Sequence, residues 1–303
     1  MLRLTFLGTS AAAPTLGRGL TALGLRAGGE LLLFDCGEGT QRQMIRYGTG
    51  FDVGAIFFSH FHADHYLGAI GFLRTLSMLG RTAPLALHGP RPGRRLLETM
   101  LFAGTEKLAF EVEIHEQEAG AEVRRPGGVV RAFATEHRTP SLGWMLAEDP
   151  RPGRFHPEKA RDLGVPEGPL WGELQHGRPV TVEGRVIAPE GVVEPIRPGR
   201  KVVVTGDTRP CAATVAAAAG ADLLVHDSTF GDEEQARAEE TAHSTAREAG
   251  RMAREAGVAR LVLTHLSTRY DTDPGPLARQ AREEFPASDV AYDGLTIEVA
   301  HRG

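Results

Sequence analysis

The chain reads as an α/β protein of two similar halves facing each other, with an insertion set between them. Three observations predict this. Short β-rich runs alternate with turn signals and helix-like stretches through the first half, and a comparable series returns after residue 200. Between them the composition shifts: Gly or Pro fills 17 of the 50 positions in 150–199, against 39 of the other 253.

Taken in order, RLTFLG (3–8), TALGLRA (21–27) and ELLLFDCG (30–37) read as strands ending in turns, QRQMIRYG (41–48) as a helix, and AIFFSH (55–60) as a further strand. Apolar residues recur at helical spacing over 66–79, and PLALHGP (84–90) is a strand and turn. In the second series KVVVTGD (201–207), DLLVHDS (222–228) and ARLVLTH (259–265) are strands. TVAAAAGA (214–221) is helical, and 232–256 is predicted as one charged amphipathic helix. Segment 150–199 is too punctuated for a packed sheet or a long helix, which predicts an insertion projecting from the core. The pieces LWGEL (170–174) and VTVEGRVIAP (180–189) predict order within it rather than a floppy linker. Its Lys+Arg and Asp+Glu counts are seven each, so charge names no partner. No repeat of solenoid period is present.

With 303 residues, 41% of them hydrophobic, the chain is long enough for a full core, here expected as one large domain bearing the insertion. The opening MLRLTFLGTS breaks at Gly8, short of a signal-peptide core, and no window reaches a membrane span. A cytoplasmic protein is expected. A net charge of −5 argues against a generally basic nucleic-acid coat, although a local groove can still attract phosphate. Two scattered cysteines, Cys36 and Cys211, give neither a disulfide framework nor a thiolate zinc site, so nitrogen and oxygen must hold any metal.

The run FFSHFHADH (57–65) closes a strand with His60, His62, Asp64 and His65. Neutral imidazoles and carboxylates suit zinc, and one loop offering four ligands fills two adjacent sites more readily than one tetrahedron. Paired metals need further ligands and a bridging carboxylate. Three candidates stand at predicted strand ends: His137 in RAFATEHRTP, Asp207 in KVVVTGDTRP and His265 in RLVLTHLS. Asp35 is expected to support the metal loop, Cys36 to be a small buried residue, and His88, His115, His156, His176 and His301 to be surface or structural.

FFSHFHADH, His137, TGD (205–207) and LTHLS (263–267) together resemble the five-motif arrangement of the metallo-β-lactamase fold. LGTSAAAPT (7–15), FDCGEGTQRQM (34–44), GDT (206–208), HDSTF (226–230), AHST (242–245), THLSTRY (264–270) and the insert GVPEGPLWGELQHG (164–177) are similar to the RNase Z (tRNase Z) family, over essentially residues 1–300. That resemblance implies an αββα sandwich with a protruding Gly/Pro-rich arm at 150–199. It implies an endoribonuclease that removes the 3′ trailer of precursor tRNA, leaving a 3′-hydroxyl on the tRNA and a 5′-phosphate on the trailer. The arm would be flexible and would grip the tRNA, with Gly168 and Pro169 in contact, and the active unit would be a homodimer.

Carried over position by position, His60, His62 and His137 would hold one Zn²⁺, Asp64, His65 and His265 a second, and Asp207 would bridge. Asp64 would also act as general base, and His243 would give a proton to the leaving oxygen. Arg18 is a candidate substrate contact, and Arg269 and Tyr270 are either substrate contacts, a guanidinium on phosphate and a ring on a base, or ordinary packing. Two departures stand out. HDSTF carries Asp227 where the family has glutamate, one methylene longer, so the His243–Asp227 contact is expected to be looser or helped by a backbone shift. In PTLGRG (14–19) Leu16 and Gly19 replace the family's lysine or asparagine, which weakens the case for discrimination against mature CCA ends. A small-molecule phosphodiesterase, thioesterase or lactamase would share all seven ligands, and the arm with AHST favours RNA. An intact ligand set argues against a non-catalytic RNA-binding module.

Overall fold

The computed structural model describes residues 1–101 and 107–301. Among these residues two seven-stranded sheets form. The first runs, in spatial order, Thr296–Glu298, Arg3–Gly8, Ala22–Ala27, Glu30–Phe34, Val53–Phe57, Leu85–Pro90 and Val112–Gln117. The second runs Ser288–Val290, Leu261–Thr264, Leu223–Asp227, Lys201–Val204, Leu142–Glu148, Gly128–Ala134 and Glu122–Arg125.

Both sheets are covered on two faces, which explains why their central strands read as apolar runs. In ELLLF, Leu32 and Phe34 point to one core, while Leu31 and Leu33 point to another. In KVVV, Val202 and Val204 face the first core and Val203 a third. The first core therefore lies between the sheets and is capped by Trp144 and Phe57, whose rings meet edge-on with centroids 5.0 Å apart. Helices Thr40–Arg46, Gly68–Met78 and Arg94–Leu101 cover the outer face of the first sheet. Helices Ala212–Ala218, Ala246–Ala256 and Gly275–Glu284 cover the second. The layers are thus α, β, β, α, as the sequence resemblance implied.

The parallel strands Lys201–Val204, Leu223–Asp227 and Leu261–Thr264 are in register, so their C-terminal ends open at one level. Open α/β sheets bind ligands at such ends.

One expectation is corrected. Residues 232–256 are not a single helix: Asp232–Glu234 is a 3₁₀ turn, Gln235–Thr241 a short helix and Ala246–Ala256 the long one. Ala242 adopts φ 58°, which no helix interior allows, and Thr245 starts the next helix through a reciprocal capping box with Glu248. The break lifts His243 out of a helix face into a loop.

Residues 148–199 form a second compact unit. Ala160, Val165, Leu174, Val180, Ile187 and Val192 make its own small core. LWGEL lies in helix Pro169–Gln175, and VTVEGRVI folds back as the hairpin Val180–Val182 with Arg185–Ile187. The acids Glu167, Glu173 and Glu194 are paired with Arg161, Arg178 and Arg197, so its charges are balanced locally as well as by count.

Candidate metal centre and catalytic cleft

The strand Val53–Phe57 ends in Ser59–His62, and Asp64 and His65 follow on the one-turn helix Ala63–Tyr66. Strand ends in the second sheet deliver Asp207, Asp227 and His265. Gly206 carries φ 63°, and a Cβ there would lie 2.4 Å from that of Ser59, so only glycine lets the Asp207 turn approach the histidine loop. Backbone strain gathers at this centre. Of the five non-glycine residues with positive φ among the described residues, Ala12, Asp35, Ala242 and His265 lie in loops that touch it.

The ligand atoms fall into overlapping groups. His60, His62, His137 and Asp207 offer atoms all within 4.8 Å of one another, and Asp64, His65 and His265 do the same. The Asp207 carboxylate spans both. Its Oδ2 lies 3.5 Å from His60 Nε2 and 3.3 Å from His65 Nε2, and its Oδ1 lies 3.4 Å from His265 Nε2. A third group joins Asp207 and His265 to Asp227 and His243. Asp227 is a poor ligand, because its oxygens already accept from Thr208 N, Thr229 N and Oγ1, and the His243 ring.

The second nitrogen of most of these histidines is tied down. His65 Nδ1 donates to Asp35 Oδ2 at 2.8 Å, and His137 Nδ1 to the Ala242 carbonyl at 2.9 Å. Ser59 Oγ donates to Asp35 Oδ2 and is left to accept from His60 Nδ1 at 3.0 Å. Thr229 Oγ1 likewise donates to Asp227 and accepts from His265 Nδ1 at 2.9 Å. Each such bond directs a bare Nε2 lone pair inward, the arrangement that orients imidazole ligands. Inside, His60 Nε2 and His62 Nδ1 come to 2.9 Å, His62 Nδ1 and His137 Nε2 to 3.2 Å, and His65 and His265 Nε2 to 3.4 Å. Lone pairs converging this closely repel unless a cation lies between them, and the buried Asp207 Oδ1 has no hydrogen-bond donor. The donor set fits metal ions.

Beside this centre a cavity of about 330 Å³ is lined by Ala11–Ala13, His62, Asp64, Asp207, Phe230, Arg237, His243, His265 and Arg269, among others. The metallo-beta-lactamase superfamily matches residues 22–265. Ribonuclease Z of Myxococcus xanthus is 61% identical over all of this chain and 99% of its own length. The chain belongs to the ribonuclease Z family. Ribonuclease Z of Gemmatimonas aurantiaca is 53% identical, over 99% of this chain and 96% of that one. The crystal structure of the short form of human tRNase Z superposes with a TM-score of 0.70 at 27% identity, covering 98% of this chain and 99% of that chain. The ribonuclease Z relatives are matched through the Gly/Pro-rich segment as well as the two sheets.

Within this ribonuclease Z family member the seven residues singled out as ligands all meet at one place. Asp64 Oδ2 also accepts from the Ala12 amide at 2.8 Å, so the loop after Gly8 is built into the centre. Asp35 fulfils its expected support, and the Cys36 thiol, which burial pushes up to about 12, stays protonated and inert. The substrate candidates fare differently. Arg18 is 7% exposed, its Nη1 donating to Thr9 Oγ1 and the Ala291 carbonyl, each at 2.7 Å. Tyr270 is also 7% exposed, its hydroxyl donating to Glu233 and Glu234 at 2.8 and 2.7 Å. Both spend their polar groups inside the protein and neither lines the cleft. Arg269 lines it but is paired with Glu234. Gly168 and Pro169 begin a helix of the 148–199 unit.

Sequence reasoning missed Ser59, Thr229 and the Ala12 amide. Each acts through a hydrogen bond to a ligand that is remote in sequence or through a common hydroxyl, and neither leaves a recognisable spacing. His88, taken as surface or structural, is buried, stacked between Phe57 and His115 at centroid distances of 4.8 and 4.9 Å.

Proposed function

We propose that this chain is a dizinc endoribonuclease that removes the 3′ trailer from precursor tRNA, leaving a 3′-hydroxyl on the tRNA and a 5′-phosphate on the trailer. The observation that carries it is Asp207, placed between two ligand groups at the mouth of a cleft that also holds a histidine–carboxylate pair. In this reading His60, His62 and His137 would hold one zinc, Asp64, His65 and His265 the other, and Asp207 would serve both. Bound there, the ions would make hydroxide available near neutral pH and neutralise charge at the phosphoryl transition state.

The chain's own residues supply the proton steps. Water attacks phosphorus, its proton passing to an Asp64 carboxylate oxygen, and the P–O3′ bond breaks. His243 protonates the departing 3′ oxygen from Nε2, because its Nδ1 is held by Asp227 Oδ2 at 2.8 Å. Burial disfavours the His243 cation, but the charge and hydrogen bond of Asp227 outweigh it and push its pKa up to about 9. A proton is therefore ready on His243 at neutral pH.

Residues 148–199, with Gly168 and Pro169 among them, would contact the tRNA body, and two copies of the chain would form the working homodimer. Among the described residues no helix is long and apolar enough to cross a membrane, and both cysteines are free, which supports work in the cytoplasm. The test is excision of 148–199. Ala147 and Lys201 face each other across an antiparallel ladder, so a short turn can close the gap. Precursor tRNA cleavage should collapse while hydrolysis of a small phosphodiester survives. Equal survival of both would remove residues 148–199 from tRNA recognition.

A further inference from the structure

Helix Gln235–Thr241 brings to the cleft a residue that no motif announced. Arg237 is exposed and lines the same cavity as His62, Asp64, Asp207, His243 and His265. Its guanidinium carbon lies 5.8 Å from the centroid of the Phe230 ring, and that ring is itself 4% exposed and 6.1 Å from the His243 ring. An arginine over an aromatic face is held by cation–π attraction while its N–H groups stay free to donate.

Four carboxylates around this helix are committed elsewhere. Glu234 takes Arg269 and Tyr270, Glu233 takes Tyr270 and Gln280, Glu239 takes Gln235, and Glu248 takes Arg209. Among the described residues the Arg237 guanidinium makes neither a hydrogen bond nor an ion pair. A cation without a counter-charge, braced on a buried ring at the rim of a hydrolytic cleft, suits an anion that arrives with the substrate. A nucleic-acid strand laid through this cleft necessarily brings further phosphates beside the one being cut.

We propose that Arg237, seated on Phe230, binds a backbone phosphate adjacent to the scissile one. The inference rests on the nuclease reading above. It is tested by measuring precursor tRNA affinity across a KCl series for the chain, for Arg237→Gln and for Arg237→Lys. One phosphate contact contributes about 0.7–0.9 to the slope of log affinity against log salt. Arg237→Gln should lower the slope by about that amount, and its loss of activity should fall on KM rather than kcat, on the order of tenfold at moderate salt. Arg237→Lys should restore the slope, since it keeps the charge. A purely structural role would leave the slope untouched, so an unchanged slope in Arg237→Gln overturns the assignment while the nuclease reading stands. Failure of the unsubstituted chain to cleave precursor tRNA overturns that reading and this inference with it.

Discussion

Asp227 Oδ2 lies 2.8 Å from Nδ1 of His243, and the aspartate is fully buried. The shorter acid therefore reaches full hydrogen-bond contact with the ring. Hydrogen bonds from Thr208 N, Thr229 N and Thr229 Oγ1 fix the carboxylate from the other side. The helix break at Ala242 carries the histidine to it.

From this pair follows a pH effect. Raised to about 9, His243 keeps its proton below that pH and loses it above. Asp227→Asn removes the charge that sustains the proton, so the alkaline limb of kcat/KM should move to lower pH. Activity at pH 8 should drop on the order of thirtyfold, because the protonated fraction of His243 falls as its pKa returns toward the ordinary value of about 6.5. Asp227→Glu keeps the charge and should retain the alkaline limb. A pH–rate profile of the two variants on precursor tRNA decides it, and an unmoved limb in Asp227→Asn would remove His243 from the proton step.

Asp207 spans both ligand groups, so Asp207→Ala should yield protein with fewer than two metal ions per chain by elemental analysis. Two ions retained would sink the bridging role.

Asp35 accepts from Ser59 N at 2.7 Å and Ser59 Oγ at 2.8 Å as well as from His65 Nδ1. Asp35→Asn keeps the shape but removes the acceptor that fixes the His65 tautomer. Metal affinity should fall about tenfold to a hundredfold, the usual cost of losing such a partner. Competition with a chromogenic chelator measures this, and unchanged affinity would make Asp35 a packing residue only.

Gly68 begins the helix after the ligand loop, and a Cβ there would lie 1.9 Å from the Gly37 carbonyl oxygen. That contact is backbone against backbone, so no side chain can yield. Gly68→Ala should cost about 1–3 kcal/mol in urea unfolding, as overpacking does, and should weaken metal binding by pushing His65 off the Asp35 turn. Wild-type stability in this variant would show that the loop has slack.

His88 gives a signal in stability rather than in rate. Burial, helped by nearby His115 and Arg125, lowers its pKa to about 3, so the folded ring is neutral. The unfolded ring takes a proton near its ordinary value of about 6.5. Stability should therefore fall as pH drops through 6.5 and stop falling near 3. Between pH 7.5 and 5 the ring contributes a loss of about 2 kcal/mol. His88→Gln should lose less stability than wild type over that interval, whatever its starting stability. Parallel slopes for the two would place the ring in contact with water.

How far the sequence reached can be argued from particular residues. His60, His62, Asp64 and His65 were legible because one strand end presents four ligand types in six positions. His137, Asp207 and His265 were legible because each closes an apolar run. The α/β class followed from the alternation of strand and helix patterns, and the αββα layering from the family resemblance. The surroundings of Arg18 and Tyr270 were not legible, because a cation and a phenol near a motif look alike whether they face solvent or Ala291 and Glu234. The single helix read over 232–256 failed because Ala242 favours helix by propensity, yet here it closes the helix in a left-handed cap, with its own amide and that of His243 bonded back to Glu239 and Ala238.

Sequence by itself determined the residue types of the centre and the α/β class, because both are written in local patterns of period and spacing. Tertiary structure alone decided that one carboxylate, Asp207, faces two groups of imidazoles. It also decided that Ser59, Thr229 and the Ala12 amide aim those groups, and that Arg237 rather than Arg269 is left without a counter-charge. Those relationships join residues up to about two hundred positions apart, as with Asp64 and His265, which meet at 3.3 Å. Distances of that kind are set by how two sheets pack and where their strands end, which no local pattern records.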